Sequence, residues 1–226
     1  MRSVERERSL LTKNALMRAA EVLIAENGIE NVAIKDIVAK AGQKNESALQ
    51  YHFKSINGLI HAIHDQRGQE IQAKRATLLH NLLSESPEPD LGSVCQLMVQ
   101  PVFDLARASD EFRRYIQAFG HELALAEAPL RARVESAANA DGSSTQALGV
   151  LLVASLPHLS KAAFTRRLEA AMRLSAASMF HQSRRSGGFR GLQAELFLSS
   201  LVDALVGLLS APESERTAAL AQRLKR

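Results

Sequence analysis

The sequence predicts an all-α protein, with three short helices at the N-terminus followed by a larger helical domain. The 226 residues are 46% hydrophobic but only 4% aromatic, and they are rich in unbranched side chains, which favour helix over strand. Apolar residues recur at steps of three and four along the chain, which is the period of one helix face. We find neither the strict alternation of a half-buried strand nor an internal repeat.

Residues 1–54 are predicted to form the N-terminal domain, with three helices. The first helix has the apolar face Leu16, Ala19, Ala20, Leu23 and Ile24. Asn27-Gly28 is expected to end it in a left-handed cap. The second has the apolar residues Ile34, Ile37, Val38 and Ala41 and stops at Gly42. A polar segment, 43–46, then leads into a third short helix that ends at Phe53.

Residues 55–226 are predicted to form the second domain. Ser55 is a plausible N-cap for a long fourth helix that runs to about Leu83, before the Pro-containing break at 84–90. Further helical patterns cover residues 91–108, 111–126, 143–156, 161–186 and 191–210. Loops are expected at 109–110, at 141–144, at Pro157 and at 186–188.

The third helix has a polar face and an apolar face. Ser47, Gln50, Tyr51 and Lys54 stand at i, i+3, i+4 and i+7, while Leu49 and Phe53 stand on the opposite side. Asn45 is expected to cap the N-terminus of this helix. Two short helices joined by a tight glycine turn, the second with such a polar face, are typical of a helix-turn-helix that contacts DNA. The alternative is a three-helix packing unit whose polar face is merely solvated.

Further motifs resemble the N-terminal signature of the TetR family of transcriptional regulators. They span about residues 8–63 and comprise Leu16-Met17-Arg18-Ala19-Ala20, Glu26-Asn27-Gly28, Asp36-Ile37-Val38-Ala39, Ala41-Gly42, Leu49-Gln50-Tyr51-His52-Phe53, Ser55 and Leu59. The resemblance implies a helix-turn-helix DNA-binding domain. It also places these residues at or near DNA: Lys44, Asn45, Ser47, Gln50, Tyr51, His52 and Lys54.

Individual roles follow from side-chain chemistry. Gln50 is expected to read a base, because a glutamine amide can pair bidentately with adenine. Tyr51 and Lys54 are expected to hold phosphates, and His52 to be packed or to face a phosphate. Arg2, Arg6 and Arg8 could reach DNA from a flexible arm, but their alternation with Glu5 and Glu7 favours a solvated tail.

The chain departs from the family pattern at four places. Val32 and Ala33 stand where the family has a threonine or serine that contacts phosphate, so that Asn31 or Lys35 would have to replace this contact. The turn is one residue longer than usual, and Gln50 stands where a tyrosine is common. Ile56 occupies the position of a phosphate-binding lysine, for which Lys54 is the substitute.

For the second domain the resemblance implies a ligand pocket and a two-helix dimer interface. The last two long helices suit this interface through two stripes: Phe164, Leu168, Ala171, Met172, Ser175 and Met179 on one, and Leu201, Ala204, Leu205, Leu208 and Leu209 on the other. Each stripe could equally belong to the core of one chain. No pocket residue can be assigned, since Phe103, Tyr115, Phe119 and His121 are explained better as core residues.

Several other classes are disfavoured. The net charge of +4 is not segregated, with nine basic against seven acidic residues in 1–54 and nineteen against seventeen in 55–226. The single Cys95 excludes an intramolecular disulfide and a multi-cysteine metal site. His61 and His64 lack a third metal ligand at a persuasive spacing. We find no catalytic motif and expect no enzyme activity and no cofactor.

We also expect a cytoplasmic protein. The start MRSVERERSLL is charged, unlike a signal peptide, and the longest apolar run, 196–209, contains Asp203. The sequence thus predicts a homodimeric, sequence-specific transcriptional repressor that a small-molecule ligand releases from a palindromic operator. Two alternatives stay open: a helical small-molecule-binding protein with weak or altered DNA binding, and an activator.

Overall fold

The computed structural model describes residues 2–125 and 143–224, with side chains from Arg6 onward, and this part of the chain is built of α-helices without strands. The predicted all-α class is therefore confirmed. The ten helices are α1 Arg2–Asn27, α2 Ile34–Lys40, α3 Ser47–Phe53, α4 Ile56–Glu85, α5 Leu91–Ala108, α6 Asp110–Leu125, α7 Ser144–Ser155, α8 Lys161–Ser183, α9 Leu192–Ser210 and α10 Glu215–Arg223, and a 3-10 turn covers Ile29–Asn31.

Most helix bounds agree with the prediction to within about three residues. The N-terminal stretch differs, because α1 begins at Arg2 and the expected tail is helical. The sequence also did not indicate α10 or the 3-10 turn. The last residue of the predicted helix 111–126, and Asp141-Gly142 of the predicted loop, lie outside the described residues.

Serine and aspartate side chains begin most of the later helices. The Ser55 hydroxyl accepts a hydrogen bond from the Gly58 amide at 3.0 Å, as predicted. Asp90, Ser143, Ser160 and Ser214 cap α5, α7, α8 and α10 in the same way. At the end of α1, however, Gly28 has φ 82° and ψ 152°. This extended conformation is open mainly to glycine and is not the left-handed cap expected there.

One apolar core runs through the described helices. The α1 helix packs on α2, α3, α4 and α6, and it buries Leu16, Ala20 and Ile24. In the C-terminal part, α5 lies between α4, α7 and α9, and α6 packs along α8. Because α4 takes part in both groups, it connects the three N-terminal helices to the C-terminal ones.

Two buried or half-buried arginines anchor α4 at different points. Arg67 is 6% exposed, and its guanidinium contacts both carboxylate oxygens of Glu21 on α1 at 2.9 Å. Burial raises the pKa of Glu21, while Arg67 opposes that shift. Farther along α4, Arg75 donates to the Leu97 carbonyl at 3.2 Å and to the Thr145 hydroxyl at 3.0 Å. Arg67 thus ties α4 to α1, and Arg75 ties it to α5 and α7.

By length and composition alone, α9 could cross a membrane, since its mean hydropathy is 1.6 over an 18-residue window. A core helix of a soluble protein passes the same test. Five α9 residues face the core of the chain: Ala194, Leu198, Leu201, Leu205 and Leu209. Its other side exposes Leu192, Leu196 and Asp203. The apolarity of α9 is therefore accounted for in part by burial within the chain.

Candidate nucleic-acid interface

The two faces of α3 differ as its sequence predicts. Leu49 is fully buried and Phe53 is 6% exposed, both in the core shared with α1 and α4. The opposite side exposes a hydroxyl, an amide, a phenol and an ammonium group: Ser47, Gln50, Tyr51 and Lys54. Tyr51 is 81% exposed although its ring is large and mostly apolar. This side of α3 therefore offers hydrogen-bond donors and one positive charge to a partner.

The turn before α3 is held by its own side chains and by one glycine. Gly42 has φ 68°, a left-handed conformation that L side chains rarely adopt. The Asn45 amide oxygen accepts hydrogen bonds from the Ser47 amide at 3.1 Å and from the Ser47 hydroxyl. The N-cap position itself is Glu46, which makes no side-chain cap, so that Asn45 holds the turn from one residue before the expected position. Lys44 is exposed in the same turn.

Lys54 closes α3 in an unusual conformation. Its φ is 64° and its ψ is −33°, and it is the non-glycine residue with positive φ among those described. Its amide donates to the Gln50 carbonyl at 3.1 Å. Immediately after it, α4 starts so close to α3 that a Cβ on Gly58 would overlap the Phe53 carbonyl oxygen. The junction between α3 and α4 is therefore tightly packed at Gly58.

Lys35 is the predicted site residue that lies apart from α3. It is exposed in the first turn of α2. The residue before that helix, Ala33, makes no side-chain cap, which agrees with the loss of the family's hydroxyl. The side-chain amide of Asn31 instead donates to the backbone carbonyl of Asn27 at 2.8 Å.

His52 is half-buried beside a cleft that the sequence did not indicate. Its ring lies edge-on to Tyr51, with centroids 5.0 Å apart. Burial, and then the charge of Lys13, lower the pKa of His52 below its usual value. The cleft has a volume of about 570 Å³ and is lined by Arg6, Arg8, Ser9, Thr12, Tyr51 and His52. It exists because α1 continues as a helix past α3, which the alternating charges of residues 5–8 did not reveal.

A sequence comparison identifies this part of the chain. Residues 16–63, from α1 through α3 into α4, match the profile of the bacterial regulatory proteins of the tetR family. This match identifies residues 16–63 as a TetR-type N-terminal region. The predicted family resemblance is confirmed for this part of the chain.

A solved structure with a TM-score above 0.5 shares the fold of most of this chain at low sequence identity. A TetR-family transcriptional regulator from Rhodococcus sp. has a TM-score of 0.55 and 17% identity, covering 88% of this chain and 99% of its own. A TetR-family regulator from Mesorhizobium loti has a TM-score of 0.40 and 16% identity, covering 89% and 98%. GusR of Salmonella enterica has a TM-score of 0.39 and 21% identity, covering 88% and 95%. Among curated protein sequences, none matches the chain significantly.

Behind the TetR domain, aromatic side chains pack between helices. Phe103 is fully buried against Phe189, with ring centroids 5.5 Å apart. The rings of Tyr115 and Phe119 pack with each other at 5.6 Å, and the ring of His64 lies 4.8 Å from that of Phe119. The exposed His121 lies 5.7 Å from the Phe180 ring. Within residues 2–125 and 143–224, no group of three or more His, Cys, Asp or Glu side chains could hold a metal ion.

Proposed function

We propose that this protein is a sequence-selective DNA-binding transcriptional regulator, a homodimeric repressor that a small-molecule ligand releases from a palindromic operator. The observation that carries the proposal is the exposed polar face of α3, held on the surface by the buried Leu49 and Phe53. Because α3 belongs to a TetR domain, it is the helix that would enter the major groove.

The exposed side chains contact different parts of the DNA, according to their chemistry. Gln50 is the base-reading residue, since its amide can donate to and accept from one adenine edge. Tyr51 and Lys54 hold phosphates on either side of it and set the register. Lys44, Asn45 and Ser47 add donors from the turn, and His52 lies at its edge. Lys35 supplies from α2 the phosphate contact that Ala33, without a hydroxyl, cannot make.

A dimer through α8 and α9 is supported by the apolar surface left on α9. Leu192 is 83% exposed and Leu196 is 58% exposed, and the same helix exposes Ser200, Ala204 and Gly207. Small side chains let two backbones approach closely. The interface predicted from periodicity needs adjustment, because Leu201, Leu205 and Leu209 are buried in the core of their own chain. On α8, Ala171 and Met179 are buried in the same way.

Release by a ligand would follow from a shift between two states. The long α4 contacts α1 through Arg67 and contacts α5 and α7 through Arg75. A ligand that binds better to one arrangement of the C-terminal helices would therefore also change the orientation of α3. Two α3 helices at the wrong separation cannot dock in successive major grooves. We place the protein in the cytoplasm, where the DNA and the ligand would meet, and assign it no enzyme activity.

Affinity selection of fragmented genomic DNA on the purified protein, at two salt concentrations, tests the proposal. We expect a palindrome whose half-sites are about 34 Å, or a multiple of that, apart. Gln50→Ala should reduce the selectivity, whereas Gln222→Ala, an exposed glutamine on α10, should leave it unchanged. Recovery of unselected DNA, or of none, at both salt concentrations would reject the proposal.

One observation favours a second candidate, a small-molecule-binding helical protein with weak or altered DNA binding. The N-cap of α2 is Ala33, which offers no side-chain hydroxyl to a phosphate. This candidate predicts retention of a ligand by the purified protein, seen by native mass spectrometry, together with DNA binding of the same strength on every sequence. The direction of regulation depends on where the selected site lies relative to the promoter, and an operator upstream of it would favour an activator.

A further inference from the structure

Several arginines lie together on the C-terminal helices, around the loop 184–191 that joins α8 to α9. Three are exposed in this loop and two are half-buried in the first turns of α6, and we call the five the arginine cluster: Arg184, Arg185, Arg190, Arg113 and Arg114. Burial, and then the charges of Arg190 and Arg114, lower the pKa of Arg113. The cluster therefore concentrates positive charge in one part of the surface.

The carboxylates around the cluster neutralise little of this charge. Asp110 forms an ion pair with Arg113, and Glu195 forms one with Arg107, which lies outside the cluster. Among the described residues, the other four arginines of the cluster form no ion pair. Guanidinium groups match the oxygens of a phosphate with two parallel hydrogen bonds. The cluster is therefore suited to a polyanion.

The loop that carries the exposed arginines is packed against the core. Phe189 is fully buried, and its carbonyl accepts a hydrogen bond from the Arg107 Nε at 3.1 Å. The side-chain amide of Gln182 donates to the Gly188 carbonyl. A Cβ on Gly188 would lie 2.1 Å from the Gln182 carbonyl oxygen, so that this approach requires glycine. The loop thus presents its arginines from a defined backbone.

The loop lies next to the first turn of α6, because α6 and α8 run antiparallel. The Gln117 side-chain amide donates to the Ser183 carbonyl at 2.7 Å. Farther along α6, the Ala124 carbonyl accepts a hydrogen bond from Arg173 at 3.0 Å. The chain that follows Ser183 therefore continues toward the N-terminus of α6.

This end of the C-terminal helices adjoins the three N-terminal helices. The first turn of α6 contacts α1, where Glu111 pairs with Arg18 at 3.1 Å. The cluster is consequently on the side of the C-terminal helices that is nearer to the DNA. In the proposed dimer α8 and α9 form the interface, so the loop 184–191 between them lies beside the two-fold axis. The two copies of the cluster are then between the two α3 helices, opposite the base pairs that separate the half-sites.

We propose that the arginine cluster binds the backbone phosphates of the operator segment between the two half-sites, which α3 does not reach. The inference rests on the proposed function and gives the C-terminal helices a DNA contact of their own. It makes the affinity depend on the charge of the central segment, although no base there is read. A ligand that displaces the C-terminal helices therefore acts on this contact directly, without passing through α4.

The double variant Arg185→Gln/Arg190→Gln tests the inference on the selected site. Each lost phosphate contact reduces the slope of log affinity against log salt by about 0.9, so two lost contacts reduce it by about 1.8 for each protomer. Between about 50 and 200 mM salt this change corresponds to a factor of about 12 for each protomer. The matched control is Arg216→Gln/Arg223→Gln, which removes two exposed arginines from α10 and should leave the slope unchanged.

A second duplex tests where the contact is made. It keeps both half-sites and carries uncharged methylphosphonates in place of the phosphates of the central segment. We expect the slope of the wild type on this duplex to fall to that of the double variant, and the slope of the double variant to stay the same. A difference between the two proteins that persists on the uncharged segment would place the contact elsewhere and overturn the inference.

Two further outcomes would also contradict it. An unchanged slope for the double variant, with selective binding intact, would leave the proposed function standing and assign the cluster to an acidic protein surface instead. Dissociation of the double variant into monomers, seen by analytical ultracentrifugation without DNA, would place these arginines in the contact between protomers. Failure of the wild type to select any site would reject both this inference and the proposed function.

Discussion

Replacing Lys54 by glycine should make the protein more stable and a weaker DNA binder. Lys54 has φ 64° and ψ −33°, a conformation that costs a residue with a Cβ about 1–3 kcal/mol. Glycine removes this cost but loses about 0.5–1 kcal/mol through the greater freedom of the unfolded chain. The expected net gain in the free energy of unfolding is therefore about 1 kcal/mol. For a protein of this size it corresponds to a rise in Tm of about 2–4 °C.

The DNA measurement should move in the opposite direction. Lys54 is exposed at the end of α3, so its removal should cost one phosphate contact per protomer. The slope of log affinity against log salt should then fall by about 0.9 for each protomer. Lys54→Ala is the matched control, because it removes the same ammonium group but keeps a Cβ. It should lose the same DNA contact without the gain in stability.

Thermal unfolding at one protein concentration and salt-dependent DNA titration provide the two readouts. Equal or lower stability of Lys54→Gly, relative to Lys54→Ala, would refute the account of backbone strain. An unchanged salt slope for both variants would show that the Lys54 side chain does not touch a phosphate. The two measurements are independent, because thermal unfolding reports the backbone strain at residue 54 and the salt slope reports the contact of the ammonium group.

Three further variants address recognition, the buried ion pair and packing. Gln50→Ala should relax selectivity at one base step by about 1–3 kcal/mol; an equal loss on all sequences, measured by competition binding, would make Gln50 a phosphate contact. Arg67→Met should destabilise the fold by about 3–5 kcal/mol at neutral pH, because it leaves Glu21 charged and buried. Since burial raises the pKa of Glu21, stability of this variant should recover as the pH falls and Glu21 binds a proton; denaturant midpoints that do not rise on acidification would contradict this. Gly120→Ala should lower the free energy of unfolding by about 1–3 kcal/mol, because a Cβ there would lie 2.9 Å from the Phe180 Cβ. A calorimetric Tm equal to that of the wild type would argue against such tight packing between α6 and α8.

The face of α3 could be predicted because the necessary information is local. Leu49 and Phe53 are one helical turn apart, and burying them leaves Gln50 and Tyr51 outside by geometry alone. Ser55 was recognised as a cap for a similar reason, since a cap bonds to an amide two or three residues away. Short-range contacts of this kind can be read from spacing.

Features that depend on contacts between distant residues could not be predicted from the sequence. Glu21 and Arg67 are far apart in the chain, and nothing in either segment indicates that they form a buried ion pair. Periodicity identified the apolar face of α9 but not which molecule covers it, and Leu205 proved to be covered by its own chain. The α10 helix is nine residues long, buries none of its residues and was not predicted from the sequence.

The two arginines of α4 have a mechanical consequence. Arg67 fixes one point of this helix to α1, and Arg75 fixes another to α5 and α7. Only about 12 Å of helix separates them, and this span contains Gly68, where an added Cβ would meet nothing within 4 Å. Glycine has a helix propensity about 1 kcal/mol less favourable than that of alanine. A displacement among the C-terminal helices that reaches α3 through α4 therefore passes this short span, whereas α1 offers a second route, because it packs on both α6 and α3.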